Sequence, residues 1–245
     1  MIALCVMPHP DDCEILCAGT LLRLAEQGVK IHVATMTAGD KGSMSLPPEK
    51  ISAIRRVEAA NAAKHLGASS YTCLEFEDLS IVFDNPTRQK IAGLLRKIKP
   101  DIIFTTPPVD YMADHEITSS LVRDACFNAS VPNYHTGTDD APTQKIPYLY
   151  YSDPIGGEDL FGDKTVTSVL VNITTVMDRK VEALSCHASQ REWLREQHGI
   201  DEYVDAMKRW AAVRGAELGV TFAEGFRQHL GHPHPTECLL RKLLW

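Results

Sequence analysis

Apolar residues recur at two spacings along the first 128 positions of the chain. Short apolar runs are typical of buried strands, whereas apolar positions repeating every three or four residues are typical of amphipathic helices. Because the two patterns alternate, they predict βαβ units and an α/β fold with a mostly parallel, doubly wound sheet and helices on both faces. The predicted strands cover residues 2–7, 31–37, 71–76 and 101–105, and the predicted helices cover residues 12–27, 49–66, 87–98 and 114–128.

The second half of the chain is less regular. It contains no internal repeat, low-complexity tract or clear linker, so we expect a single domain over residues 1–245. Residues 38–48 and 133–147 are rich in polar residues and Gly or Pro, which predicts loops, and the second fits an exposed loop near a site. Further strands are predicted at residues 148–152 and 166–173, and further helices at residues 177–195 and 201–218.

The overall charge limits the class of partner. The formal net charge is −7 and the sequence pI is about 5.8. A nucleic-acid-binding domain usually carries a basic patch, so we expect no nucleic-acid partner. The total charge does not exclude an anionic small molecule, because the local charge of a site is independent of the total.

The cysteines and the apolar runs bear on the compartment. Seven cysteines occur without a C-x-x-C pair, which predicts reduced, mostly buried thiols rather than disulfides or metal ligands. No run reaches the roughly 18 apolar residues that span a bilayer. The first residues lack a basic region and reach carboxylates by position 11, unlike a signal peptide. We therefore expect a cytoplasmic protein with no membrane partner.

A histidine and two carboxylates follow the first predicted strand, in the segment His9-Pro10-Asp11-Asp12. Ligands of open α/β sheets collect beyond the carboxyl ends of the strands, and imidazole with carboxylate suits zinc, iron or manganese. Pro10 favours an extended conformation at His9, which fixes the direction of the imidazole. Helix capping is the alternative for Asp11 or Asp12, because a carboxylate satisfies free N–H groups at a helix N-terminus. Capping does not account for the histidine or the proline.

A second cluster of polar residues occupies positions 110–116, again between a predicted strand and a predicted helix. Parallel order places this strand end at the same edge of the sheet as His9, so a shared metal site is expected. Catalytic zinc commonly has three protein ligands and an open position for water. His9, Asp12 and His115 supply that number.

Three carboxylates remain beside these candidate ligands. Asp11 is the candidate general base, which takes the proton of the attacking water. Asp114 is expected to orient an imidazole, as carboxylates behind metal-binding histidines do. Glu116 is expected to cap the helix that follows.

These segments resemble the PIG-L/LmbE family of zinc-dependent N-deacetylases. The resemblance spans most of the chain in the order expected for the family, which is far more specific than an isolated HPDD. It comprises HPDD at 9–12, CEILCAGTLLRLAEQG at 13–28, TAGDKG at 37–42, RRVEAANAAKHLG at 55–67, PPVDYMADHEITSSLV at 107–122 and MDRKVEALSCHASQ at 177–190.

The resemblance implies a fold, a cofactor and a reaction. The fold is expected to be Rossmann-like, with Zn²⁺ held by His9, Asp12 and His115 and with Asp11 as the general base. Members of the family commonly remove an acetyl group from N-acetylglucosamine-type sugars, so a small N-acetylated molecule is the expected substrate. Family members are often oligomeric, which implies a homo-oligomer.

The chain departs from the family at the second motif. The family often has His-Pro-Asp-His where this chain has Met112-Ala113-Asp114-His115, and the first histidine is usually assigned to stabilising the oxyanion. The thioether of Met112 donates no hydrogen bond, and losing such a donor typically costs about 10²–10³ in rate. Another donor is therefore expected, and His187 and His229 are hypotheses for it, although either could simply pack.

Two further positions are candidates for substrate binding. Arg55 and Arg56 begin a helical stretch that the family uses near the substrate, and an arginine there suits a phosphate or hydroxyl groups. The alternative is a surface arginine that pairs with Glu49 or Glu58. Asp40, in the TAGD loop, is either near the substrate or a turn residue.

Two other functions stay open at this level. Met112 motivates a metal-dependent hydrolase of a non-sugar amide. A non-catalytic binding protein on the same scaffold is the alternative from a different class, and it predicts no tightly bound metal. A nucleotide-binding module is less well supported, because residues 9–20 contain no G-x-G-x-x-G.

Overall fold

A single mixed sheet organises the protein, seen in a computed structural model that describes residues 1–198 and 202–245. Its seven strands are β1 (Ile2–Met7), β2 (Lys30–Thr37), β3 (Ser70–Phe76), β4 (Ile102–Thr105), β5 (Tyr148–Ser152), β6 (Val169–Asn172) and β7 (Ala223–Gln228). Their order is β3-β2-β1-β4-β5-β7-β6. Strands β1 to β5 pair in parallel, whereas β7 is antiparallel to both β5 and β6. The predicted Rossmann-like α/β fold is therefore confirmed.

Helices cover both faces of this sheet. Among the described residues they are α1 (Asp12–Leu16), α2 (Ala18–Glu26), α3 (Pro48–His65), α4 (Asn85–Ile98), α5 (Ala113–Asn128), α6 (Met177–Leu184), α7 (Ala188–His198), α8 (Tyr203–Leu218) and α9 (Leu239–Leu244), with 3₁₀ turns at Ile155–Gly157 and Thr174–Val176. Helices α2 and α3 share one core with α6 and α8, and α4 and α5 share the other. No described helix is long and apolar enough to cross a membrane.

The central strand β1 is apolar throughout because both of its faces are buried. Ala3, Cys5 and Met7 pack into the core beneath α2, and Leu4 and Val6 pack into the core beneath α4 and α5. A parallel strand covered on both faces has no polar side, so its apolar run is continuous rather than alternating.

The topology creates a crevice at the end of β1. The chain leaves β1 toward β2 and β3 on one side and returns to β4 on the other side. Loops that leave neighbouring strands in opposite directions open a crevice at their carboxyl ends, where ligands bind in open α/β sheets. The segments after Met7 and after Thr105 both enter this crevice.

The helix predicted over 12–27 is two helices. The backbone of Cys17 (φ −145°, ψ 2°) breaks it between α1 and α2. The break frees backbone N–H groups in the first turn of α2, and the Glu224 carboxylate accepts them from Gly19 (2.8 Å) and Thr20 (2.7 Å). Local helical periodicity gave no sign of this partner, because Glu224 is supplied by β7.

A buried lysine completes that contact. The Nζ of Lys180 donates to the Glu224 carboxylate at 2.7 Å and to the carbonyl of Ile15 at 2.8 Å. Lys180 and Glu224 are 1% and 4% exposed, so their charges are neutralised by each other and by backbone groups rather than by water.

The C-terminal half departs most from the predicted elements. The strand predicted over 166–173 is the shorter β6, and the helix predicted over 177–195 is divided into α6 and α7. The helix predicted over 201–218 is α8, and its predicted start at Asp201 lies outside the described residues. Strand β7 and helix α9 were not predicted.

Candidate active site

The loop after β1 holds its first aspartate in an unusual conformation. Asp11 adopts the left-handed region (φ 98°, ψ −27°), which is rare for a residue other than glycine and is often found at functional sites. Asp11 occupies the N-cap position of α1, but its side chain makes no capping hydrogen bond. The Asp12 carboxylate turns back to accept the backbone N–H of His9 at 2.9 Å. Neither carboxylate therefore caps the helix.

The two strand-end clusters meet as the topology requires. Ligand atoms of His9, Asp12 and His115 all lie within 4.8 Å of one another. The Nδ1 of His9 is 3.3 Å from Asp12, and the Nε2 of His115 is 3.7 Å from Asp12. This Nε2 is buried and has no hydrogen-bond partner in the described part of the chain. An unpaired imidazole nitrogen beside a carboxylate and a second imidazole fits a metal ion, which would take one lone pair from each residue.

Carboxylates support the far side of each imidazole. The Nδ1 of His115 lies 3.1 Å from Asp110, and the Nε2 of His9 lies 3.0 Å from Asp78 and 3.2 Å from Asp114. Carboxylates in this position orient metal-binding histidines and raise their basicity. Asp114 thus lies beside His9, whereas Asp110 lies beside His115.

Glu116 contributes through the loop before its helix. Its carboxylate accepts the backbone N–H of Asp110 at 3.0 Å, so it fixes the segment that carries the carboxylate behind His115. It holds the loop before α5 rather than a free N–H group within the first turn of the helix.

The charges of the cluster shift its pKa values in opposite directions. Burial alone would lower the pKa of His9, but hydrogen bonds to Asp114, Asp12 and Asp78 outweigh it and raise that pKa well above the usual range. Burial would raise the pKa of Asp12, but the charge of His115 and the contacts with His9 lower it. The cluster therefore keeps Asp12 ionised, as a metal ligand must be.

Asp11 behaves differently from its neighbour. Burial, reinforced by the negative charge of Asp12, raises the pKa of Asp11 to about 6. The hydroxyl of Tyr203, at the start of α8, donates to Oδ2 of Asp11. A carboxyl group with a pKa near neutrality can accept and return a proton during one reaction cycle.

A cavity of about 620 Å³ opens over this cluster. Its volume is in the range of small-molecule sites. Polar residues line one side: His9, Asp11, Asp12, Lys41, Arg55, Asp78 and His115. Apolar and aromatic residues line much of the remainder: Ile15, Leu79, Tyr111, Met112, Ile155, Trp193, Leu194, Tyr203, Ala206 and Trp210.

Arg56 and Asp40, the predicted substrate contacts, lie outside this cavity. Arg56 does not line the cavity, and its Nε pairs with Glu75 at 2.9 Å on the exposed face of α3. The Asp40 carboxylate accepts the backbone N–H of Asp78 at 2.8 Å, so it fixes the loop and does not face the cavity. Adjacent helical residues point about 100° apart, and Arg55 is the arginine that faces inward.

Arg55 is enclosed by the TAGDKG loop. It is 4% exposed, and its Nη2 donates to the carbonyl of Gly42 (3.1 Å) and to Gln190. A Cβ atom at Gly39 would lie 2.4 Å from the Arg55 guanidinium, and one at Gly42 would lie 2.3 Å from it. A side chain at either position would therefore displace the Arg55 guanidinium. Among the described residues, Arg55 forms no ion pair within 4 Å.

The two histidines suggested as oxyanion donors lie elsewhere. His187 is 1% exposed and its Nε2 is 3.2 Å from Glu14, while His229 is 3.0 Å from the hydroxyl of Tyr151. Neither lines the cavity. Tyr111 does line it, with its ring centroid 5.4 Å from that of His115.

Sequence reasoning missed three residues at the site, namely Asp78, Tyr203 and Gln190. Asp78 and Tyr203 come from segments without a recognisable motif, whereas Gln190 ends the segment MDRKVEALSCHASQ, and each of the three contacts a residue far along the chain. Tyr203 is 192 positions from Asp11, and Gln190 is 135 positions from Arg55. The one available signal was the TAGDKG loop, whose glycines indicated a close neighbour but did not identify it.

Comparison with known proteins agrees with this geometry. A model of the PIG-L family, described as GlcNAc-PI de-N-acetylase, matches residues 4–126, which is half of the chain and includes His9, Asp11, Asp12 and His115. A diacetylchitobiose deacetylase of Thermococcus kodakarensis is 26% identical, over 76% of this chain and 69% of its own.

Two other comparisons extend further along the chain. A solved N,N'-diacetylchitobiose deacetylase of Pyrococcus horikoshii superposes with a TM-score of 0.80 at 27% identity, covering 96% of this chain and 86% of that one. A 4-oxalmesaconate hydratase of Pseudomonas putida is 28% identical over 92% of this chain and 88% of its own. The relatives are enzymes, which confirms that prediction, and the family match shows that the chain belongs to the PIG-L family of de-N-acetylases.

Proposed function

We propose that the chain is a zinc-dependent hydrolase that removes the acetyl group from an N-acetylglucosamine-type sugar. The observation that carries the proposal is the meeting of His9, Asp12 and His115 within 4.8 Å at the polar side of the cavity, with the Asp11 carboxylate beside them. The diacetylchitobiose deacetylases among the relatives support the substrate class.

The donor set suits zinc. Two imidazoles and one carboxylate match the three-ligand sites of catalytic zinc, and Asp110, Asp78 and Asp114 give the imidazoles their supporting carboxylates. When bound, a zinc ion acidifies a water molecule and polarises the acyl carbonyl.

Asp11 moves the proton in this scheme. Tyr203 occupies Oδ2, which leaves Oδ1 to take the proton of the attacking water as the C–O bond forms. Asp11 then gives this proton to the amine nitrogen as the C–N bond breaks, and acetate and the free amine are released. The pKa of about 6 suits both transfers.

The hydroxyl of Tyr111 donates the hydrogen bond to the oxyanion that Met112 cannot donate. Tyr111 is 63% exposed, and a tyrosine hydroxyl is protonated at neutral pH, so it can donate to the oxyanion. Tyr111 faces the cavity beside His115 and makes no hydrogen bond within the described residues. A hydroxyl that donates to the developing negative charge lowers the barrier of the reaction.

Metal content and acetate release test the proposal together. The purified protein should hold about one zinc per chain and release acetate from N,N'-diacetylchitobiose, and a chelator should abolish the release until zinc is restored. His115→Ala should lose the metal, whereas the control His229→Ala should keep it. A metal-free protein that still releases acetate would refute the mechanism.

A second candidate reaction is the addition of water to an anionic substrate. Arg55 favours it, because a buried guanidinium without an ion pair among the described residues suits a substrate carboxylate. The hydratase relative supports it. Consumption of 4-oxalmesaconate without any acetate release from N-acetyl sugars would establish the hydratase reaction instead.

Three further predictions concern the whole protein. A homo-oligomer, a cytoplasmic location and a single domain over residues 1–245 are still predictions, and the first two derive from the resemblance and the composition. Light scattering of the purified protein tests the first, cell fractionation the second and limited proteolysis the third.

A further inference from the structure

The cavity has a polar floor and an apolar wall that come from different parts of the chain. The floor residues all lie between positions 9 and 115, within the family match. The apolar wall consists of five half-buried residues outside that match: Ile155, Trp193, Leu194, Ala206 and Trp210. The wall therefore belongs to the part of the molecule that the family model does not describe.

Polar groups beside the wall are already engaged. Gln190 accepts from Arg55, and the Glu202 carboxylate pairs with Arg209 at 2.6 Å. The hydroxyl of Tyr203 donates to Asp11. Because these atoms are engaged, a sugar ring packed against the wall would find fewer hydrogen-bond partners than at the polar floor.

The opposite side of the cavity has the same character. Ile15, Leu79 and Met112 also line the cavity, and Leu79 is 62% exposed. Together with Trp193 and Trp210, these residues give the cavity an apolar lining of the kind that aromatic groups contact. A volume of about 620 Å³ is far larger than one acetyl group needs.

We propose that the substrate carries an apolar or aromatic group on its amine portion, and that Trp193 and Trp210 bind it. The proposal rests on the deacetylase function proposed above. The acetyl group lies at the polar floor, so the rest of the molecule extends over the wall. The tryptophans determine specificity and do not take part in the chemistry.

Three matched substrates test this directly: phenyl N-acetyl-β-D-glucosaminide, its methyl counterpart and N,N'-diacetylchitobiose, each assayed by acetate release. We expect kcat/KM for the phenyl glycoside to exceed both others by about tenfold or more, since even one methylene in an apolar pocket is worth about that factor. The comparison uses the unmodified, zinc-loaded enzyme, so it does not depend on a variant that folds.

Variants of the two tryptophans then test whether these side chains cause the preference for the phenyl glycoside. Trp193→Ala and Trp210→Ala should each lower the phenyl-to-methyl ratio of kcat/KM toward one, while thermal unfolding confirms that each is folded. Trp245→Ala is the matched control, because Trp245 is 72% exposed and lies outside the cavity. Its ratio should equal that of the unmodified enzyme.

Each contrary outcome has a different meaning. Equal kcat/KM on all three substrates would overturn the inference and leave the deacetylase function in place. Zinc-loaded enzyme with no turnover of any of them would overturn the function and the inference together. A preference for a longer N-acyl chain at constant amine would place the apolar group on the acyl side, and would also overturn the inference.

Discussion

The two regions of the chain build the site by different physical means. Residues 1–126 form the parallel strands and supply charged groups whose positions follow from strand ends at one crevice. Residues 148–245 add the antiparallel β7, and they supply mostly apolar side chains, together with the Tyr203 hydroxyl, the Gln190 amide and the Glu202 carboxylate. The first region thus carries the chemistry shared with the family, and the second carries what distinguishes this protein.

The largest expected effect comes from removing Asp11, the proposed general base, from the first region. Asp11→Asn should lower kcat/KM by about 10³, within the range of general-base catalysis, and leave the zinc content unchanged. Asparagine tolerates the left-handed conformation of Asp11, so the loop should keep its shape. Activity close to that of the unmodified enzyme would show that another group takes the proton.

The buried carboxylate of Glu224 joins the two regions. Removing its charge should lower the stability of the protein and leave the catalytic residues unchanged. Glu224→Gln leaves Lys180 charged and unpaired, which should lower the free energy of unfolding by about 3–5 kcal/mol. Arg209→Gln is the control, because its pair with Glu202 is 57% exposed on both sides and should be worth less than about 1 kcal/mol. Urea unfolding curves measure both, and equal losses would contradict the role of the buried pair.

A smaller effect should follow from Tyr111. Tyr111→Phe should lower kcat by about 10² with little change in KM, since the hydroxyl acts only as charge develops on the oxyanion. Tyr134→Phe, whose hydroxyl lies outside the cavity, is the control. If KM rises and kcat is unchanged, Tyr111 binds substrate instead of stabilising the oxyanion.

The smallest change in kcat/KM should follow from removing the hydroxyl of Tyr203, which lies in the second region and contacts Asp11 in the first. Tyr203→Phe removes the hydrogen bond to Asp11 and should lower kcat/KM by about tenfold, or about 1.4 kcal/mol. Zinc content should not change. Unaltered kcat/KM would mean that Tyr203 only fills space, and that the second region contributes no polar contact to catalysis.

The sequence predicted the first region far better than the second. The bounds of β1 and the meeting of its loop with the loop after β4 follow from apolar runs and parallel order, which are local signals. Strand β7 reads AEGFRQ, with a glutamate that is buried only because Lys180 and the amides of Gly19 and Thr20 receive it. No local pattern reveals such a partner.

The same distinction holds within the site. The cluster of His9, Asp12 and His115 follows from two motifs, whereas the sequence does not show that Arg55 lines the cavity and Arg56 pairs with Glu75. Helix capping by Asp11 or Asp12 is excluded by contacts that the sequence does not display, because Asp11 makes no capping hydrogen bond and Asp12 accepts the N–H of His9.

The link between Glu224 and Gly19 also bears on how the chain folds as it is synthesised. The contact spans 205 positions, and β5 has no antiparallel neighbour until β7 is available. Strand edges left open in this way promote association between chains. During translation, the first region therefore waits with an uncapped α2 and an open sheet edge until residue 224 has left the ribosome. Temporary cover of that edge by a chaperone would protect the chain from such association.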